Sequence, residues 1–81
     1  MTTQILNILK QYQIKDAELN KIFGIDNPSE EWKTQYNTLK NGTRNSLLNL
    51  GLTQSTIESL LLATNMIDIT EYHIQLILSY H

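Results

Sequence analysis

The sequence has no cysteine, only one proline and only three glycines among its 81 residues. Without cysteine the chain has neither a disulfide framework nor a thiolate metal site, and it suits a reducing compartment. Its longest apolar run is Leu60–Ala63, whereas a membrane-spanning helix needs about 20 apolar residues. The first residues also lack the basic and apolar segments of a signal peptide. We therefore expect a soluble, cytoplasmic protein without a membrane span.

Signatures of catalysis and of metal binding are missing as well. There is no glycine-rich phosphate loop, no Gly-x-Ser-x-Gly elbow and no His-Glu-x-x-His motif. The two histidines, His73 and His81, are too far apart in sequence for a helix to bring their rings together on one metal ion. A chain of 81 residues forms one domain with a thin core. The sequence therefore predicts a single non-enzymatic domain, residues 1–81, with no catalytic residue, metal or cofactor.

Negative charge is missing from the middle of the chain. No Asp or Glu occurs between Trp32 and Ile57, although the chain has eight acidic and six basic residues in total. Three of the six basic residues, Lys33, Lys40 and Arg44, fall inside this interval. A chain with a net charge of -2 can therefore still present one mildly positive face.

Hydrophobic spacing predicts helices along the whole chain and no strand. The expected helices cover about residues 3–13, 16–23, 28–40, 43–50, 55–65 and 70–81, the last starting near position 68 or 70. Asp16 is expected to cap the second helix and Pro28 to open the third, while Asn41-Gly42 should end the third. Ser55, three residues before Glu58, should cap the fifth. We expect an all-α fold, a compact array of five or six short helices.

Two segments carry a resemblance to a known family. They are Leu19–Asp26, which reads LNKIFGID, and Leu39–Thr43, which reads LKNGT. The first resembles the second helix and turn of an Xre-type, lambda-repressor-like helix-turn-helix domain, and the second is similar to the end of its recognition helix. The resemblance implies that the helix over residues 28–40 lies in the major groove of DNA. The implied contacts to phosphates, base edges and DNA backbone are Lys33, Gln35, Asn37, Lys40 and Arg44.

A second segment competes for the role of the reading unit, the helix-turn-helix that contacts the DNA bases. Leu50–Ile57, LGLTQSTI, is similar to a turn found in many bacterial helix-turn-helix regulators. Leu47 stands where a close crossing of two such helices favours a small side chain. The helix after this turn has no Lys or Arg, so phosphate contacts would depend on Lys40 and Arg44. Either Gly24 or Gly51 can therefore mark the reading unit.

The last predicted helix has more apolar residues than one narrow stripe needs, and such an excess in a small domain often marks a partner interface. The residues that we assign to this interface are Tyr72, Leu76, Ile77 and Tyr80. A homodimer through this helix would also give a helix-turn-helix protein two half-site readers.

Two functions remain open from the sequence. The first is a small DNA-binding transcriptional regulator, of the kind common on phages and mobile elements. The alternative is a mildly acidic helical module that binds another protein, such as an inhibitor, an immunity protein or an anti-CRISPR-like factor. In that case the interface would be Glu30 and Glu31 or the apolar last helix.

Overall fold

The computed structural model describes residues 1–23 and 30–80, the side chain of Phe23 excepted. In this part of the chain there are four helices: α1 (Thr2–Phe23), α2 (Glu30–Asn49), α3 (Gln54–Met66) and α4 (Glu71–Tyr80). The described residues contain no strand, so the expected all-α class is confirmed. The expected count of five or six helices is wrong for the described residues, because two predicted breaks do not occur.

The hydrophobic core draws on all four helices and on the segment between α3 and α4. Its buried apolar residues are Ile5, Leu9, Tyr12, Leu47, Ile57, Leu60, Leu61, Ile69 and Ile74. Helix α1 packs against each of the other three helices, whereas α4 packs only on α1 and α3 within the described residues. Because α4 lies at the edge of the array, one side of it faces away from the core.

The first predicted break, near Asp16, is absent because α1 continues through it to Phe23. Asp16 continues the buried stripe that contains Leu9 and Tyr12, and no glycine or proline interrupts this stretch. The side-chain amide of Gln13 also donates to two backbone carbonyls, those of Thr64 and Ile67, each at 3.0 Å. Packing and these hydrogen bonds hold the middle of α1 in helical form.

The second predicted break, at Asn41-Gly42, is absent because α2 runs to Asn49. Thr43 and Leu47 are buried there, and the Thr43 hydroxyl donates to the backbone carbonyl of Leu39 at 2.9 Å. An internal glycine costs about 1 kcal/mol relative to alanine. Burial of a leucine stabilises by about 2 kcal/mol, so the packing of Leu47 outweighs the unfavourable helix propensity of Gly42.

The turn between α2 and α3 contains Gly51, where the sequence predicted the end of a helix. Gly51 has φ of 92°, a left-handed conformation that glycine adopts without a steric penalty. The predicted cap at Ser55 is wrong: Thr53 caps α3, and its hydroxyl accepts a hydrogen bond from the Thr56 backbone N–H at 3.2 Å. The last helix was expected to start near position 68 or 70, and α4 begins at Glu71, directly after Thr70. The predicted opening at Pro28 lies outside the described residues.

Two candidate interaction surfaces

The continuous α2 helix brings most of the sequence-predicted DNA contacts onto one face. Lys33, Asn37, Lys40 and Arg44 follow an i, i+4, i+7, i+11 spacing, so they lie along a single stripe that we call the cationic face. Gln35 is on the opposite side of the helix, where it lines a groove against α1. Four of the five predicted residues therefore share a face and the fifth does not.

Two of the three positive charges on the cationic face have acidic partners within the chain. Arg44 Nε donates to Glu58 Oε1 at 2.7 Å and Arg44 Nη2 to Glu58 Oε2 at 3.2 Å, a two-pronged contact that joins α2 to α3. Lys33 Nζ lies 3.5 Å from Glu30 Oε1, one helical turn away. The hydrogen bonds from Arg44 lower the pKa of Glu58, which stays ionised.

The third cation, Lys40, lies over an aromatic ring. Its Nζ is 5.9 Å from the centre of the Tyr36 ring, and its charge also lowers the pKa of Glu58. Three positive side chains and the two carboxylates of Glu30 and Glu58 leave a net charge of +1 on this face. The positive face expected from the sequence is therefore weakly charged.

The helix after the Gly51 turn contributes no basic group. One side of α3 is buried, through Thr56, Ile57, Leu60, Leu61 and Thr64. Its exposed residues include Gln54, Glu58 and Leu62, and the helix contains neither Lys nor Arg. Any phosphate contact near this turn would have to come from the cationic face of α2.

Aromatic side chains support the cationic face from beneath. Tyr12 is buried, and its hydroxyl lies 3.3 Å from the hydroxyl of Tyr36. Burial raises the pKa of the Tyr12 hydroxyl, and the hydrogen bond to Tyr36 adds to that rise. Trp32 stacks on Tyr36 with ring centres 5.2 Å apart. This cluster fixes the position of α2 on α1.

The outward face of α4 carries three large side chains that the core does not use. Tyr72, Leu76 and Tyr80 are 66%, 40% and 84% exposed, and their i, i+4, i+8 spacing places them on one stripe. The opposite side holds the fully buried Ile74. Ile77, which we assigned to the interface from the sequence, instead packs partly buried against the core.

Hydrogen bonds at the start of α4 set its orientation. The Thr70 backbone N–H donates to His73 Nδ1 at 3.0 Å, so the histidine side chain caps the first turn from within the helix. The Thr3 hydroxyl donates to Glu71 Oε1 at 3.1 Å, which ties this end of α4 to the start of α1. Both contacts leave Tyr72 facing outward.

A groove between α1 and α2 was not foreseen from the sequence. It consists of two adjoining hollows of about 490 and 520 Å³, which share Lys15, Thr38 and Leu39. Its α2 wall includes small residues at four-residue spacing, namely Thr34, Thr38, Gly42 and Ser46. The hydroxyls of Thr34, Thr38 and Ser46 each donate to the carbonyl four residues earlier, which leaves a smooth wall. That spacing is the signal that could have revealed the groove.

Residues 1–23 and 30–80 form neither a metal site nor a membrane-spanning helix. In these ranges no three His, Cys, Asp or Glu side chains lie close enough together to hold a metal ion. None of the helices described is both long enough and apolar enough to cross a bilayer. No family model, curated protein or solved structure matches this chain.

Proposed function

We propose that this chain is a small non-enzymatic protein-binding module whose contact surface is the outward face of α4. The observation that carries the proposal is the second apolar stripe on that helix. Ile74, Ile77 and Leu78 pack α4 against the core. The outward face adds Tyr72 and Tyr80, which remain largely in contact with water, and Leu76, which is 40% exposed.

The composition of the outward face suits a protein interface. Tyrosine is enriched at interfaces and at their energetic hot spots, because it offers a large, stiff contact area and a polar end. The segment from Tyr72 to Tyr80 contains no Asp, Glu, Lys or Arg, and charged residues are depleted at interface centres. A partner would need a complementary apolar groove or helix.

The acidic end of α2 is a weaker alternative interface. Glu30 contacts Lys33, and Glu31 Oε1 accepts a hydrogen bond from the Gln35 side chain at 3.4 Å. Both carboxylates are therefore engaged within the helix, where they also complement the positive end of its dipole. This arrangement favours a structural role for Glu30 and Glu31.

Site-specific photocrosslinking in the native host tests the proposal. A benzophenone amino acid replaces Tyr80 in one variant and the exposed Asn45 of α2 in a matched control. We expect Tyr80 to yield a discrete adduct that is lost when the same chain also carries Tyr72→Ser and Leu76→Ser. Equal labelling from both positions, or an adduct that persists in the chain with both serine substitutions, would contradict the proposal.

DNA binding is a second candidate, and one observation favours it: Lys33, Asn37, Lys40 and Arg44 share a single face of α2. Its test is retention on heparin and binding to pooled random duplexes at increasing salt concentration. We would expect Lys33→Ala with Lys40→Ala to abolish binding. The control pair, Lys10→Ala with Lys21→Ala on α1, removes the same charge and should bind nearly as wild type does. No retention of the wild-type chain at low salt would refute this function.

A further inference from the structure

We propose that the outward face of α4 takes a second copy of this chain, with the two α4 helices antiparallel and Leu76 on the two-fold axis. This inference rests on the proposed protein-binding function and names its partner. In the resulting pair, Tyr72 of one copy faces Tyr80 of the other. The contact is isologous, because both copies use the same surface.

The order of side chains on the stripe is symmetric, which is what such a contact requires. Tyr72 and Tyr80 lie four residues on either side of Leu76, about 6 Å along the helix axis in each direction. An antiparallel pair centred on Leu76 therefore matches tyrosine with tyrosine at both ends and leucine with leucine in the middle. Each aromatic ring packs against another ring, an arrangement that stabilises beyond its buried area.

The helix dipoles favour the antiparallel direction. In a parallel pair the two α4 dipoles would lie side by side with like ends together, whereas in the antiparallel pair they oppose each other. Glu71 is the only Asp, Glu, Lys or Arg in α4, and its side chain accepts a hydrogen bond from Thr3 of α1, on the side of the helix away from Leu76. The outward face therefore carries no charged side chain that would repel a second copy.

The exposed area predicts a weak dimer. With 66% and 84% of their areas exposed, Tyr72 and Tyr80 offer together about 300 Å² per copy, at about 200 Å² for a whole side chain. Leu76 raises the total over two copies to about 700 Å², below the roughly 1,200 Å² of a standard stable interface. An interface of this size is typical of weak, transient complexes, so we expect a dimer that forms only at high local concentration.

Sedimentation of the full chain from about 10 μM to about 1 mM measures this association. The average mass should rise from monomer towards dimer across that range. Leu76→Glu places two carboxylates at the axis and should weaken the dimer at least about tenfold. Gln75→Glu adds the same charge to the same helix off the stripe and should associate as the wild type does. Circular dichroism checks that both variants fold.

Disulfide trapping tests the direction, since the chain has no cysteine of its own. Under mild oxidation, Leu76→Cys should crosslink to itself, and a mixture of Tyr72→Cys and Tyr80→Cys chains should form mainly mixed dimers. A wild-type chain that stays monomeric to about 1 mM, or Tyr72→Cys that pairs with itself in preference to Tyr80→Cys, overturns the inference. A monomeric chain that still gives the Tyr80 photoadduct in the host would overturn only this inference and leave the proposed function standing.

Discussion

Replacing Leu47 by alanine tests the packing that joins α2 to α3. Leu47 is fully buried, in the same core cluster as Ile57 and Leu60 of α3. Leucine-to-alanine changes in a core remove apolar contacts and leave a cavity, and they destabilise by about 2 to 5 kcal/mol. Since the Leu47 side chain is completely enclosed, we expect a loss near the middle of this range, about 3 kcal/mol.

The same substitution has a built-in control in the adjacent residue. Leu48 is 49% exposed, so Leu48→Ala should cost less than about 1 kcal/mol. Urea unfolding followed by far-ultraviolet circular dichroism measures both changes. At roughly 4 to 8 °C per kcal/mol for a domain of this size, Leu47→Ala should lower Tm by about 12 to 24 °C.

A nearly neutral Leu47→Ala would refute the reasoning. It would mean that α2 and α3 can approach each other closely over a small side chain, as the resemblance to regulators with a turn like that at Gly51 implies. Equal losses for Leu47→Ala and Leu48→Ala would likewise show that the two leucines are not divided between core and surface.

Substitutions at three further positions test the turn and the ionisable groups. Thr53→Ala removes the cap of α3 and should destabilise by about 1 kcal/mol in urea unfolding, whereas Thr53→Ser, which keeps the hydroxyl, should cost little. Arg44 lowers the pKa of Glu58 below its ordinary value of 4.5, so the ion pair stabilises above that pH and is lost as pH falls through the folded-state pKa. Glu58→Gln should therefore melt below wild type at neutral pH, with a gap that narrows in acid or in high salt; a constant gap would contradict this. Burial raises the pKa of Asp16 above its ordinary 3.8, so the protonated form is favoured in acid and ionisation destabilises as pH rises. Asp16→Asn should therefore raise Tm at neutral pH and change it little below pH 3.8, where Asp16 of the wild type is protonated as well. A lower Tm of this variant at neutral pH would contradict the reasoning.

Helical class and core stripes were predictable from local spacing, but two helix boundaries were not. The i, i+3, i+4, i+7 spacing of Ile5, Ile8, Leu9 and Tyr12 predicts one apolar stripe of a helix. Three of these residues are buried, and Ile8 packs partly buried against the core.

Asp16 was expected to cap a new helix and Asn41-Gly42 to end one. Tertiary packing overrides these local preferences. Helix α2 buries Leu47 beyond Gly42, and α1 is anchored just before Asp16 by buried Tyr12 and by the hydrogen bonds from Gln13 to the carbonyls of Thr64 and Ile67.

The candidate surfaces were predictable in part. Tyr72, Leu76 and Tyr80 stood out because α4 has more apolar residues than its core contacts use. The pairing of Arg44 with Glu58 could not be foreseen, because it joins residues 14 positions apart on different helices. Without that pair, the gap in acidic residues indicated a more positive face than the fold provides.

The central claim is that the outward face of α4, and not the cationic face of α2, makes the contact between two copies of this chain. The most direct measurement is the change in backbone amide chemical shifts of the full chain as its concentration rises from about 20 μM to about 1 mM. We predict concentration-dependent shifts centred on Tyr72, Leu76 and Tyr80, with Lys33 to Arg44 unchanged. Shifts that cluster on Lys33 to Arg44, or a spectrum in which α4 does not respond at all, would contradict the claim.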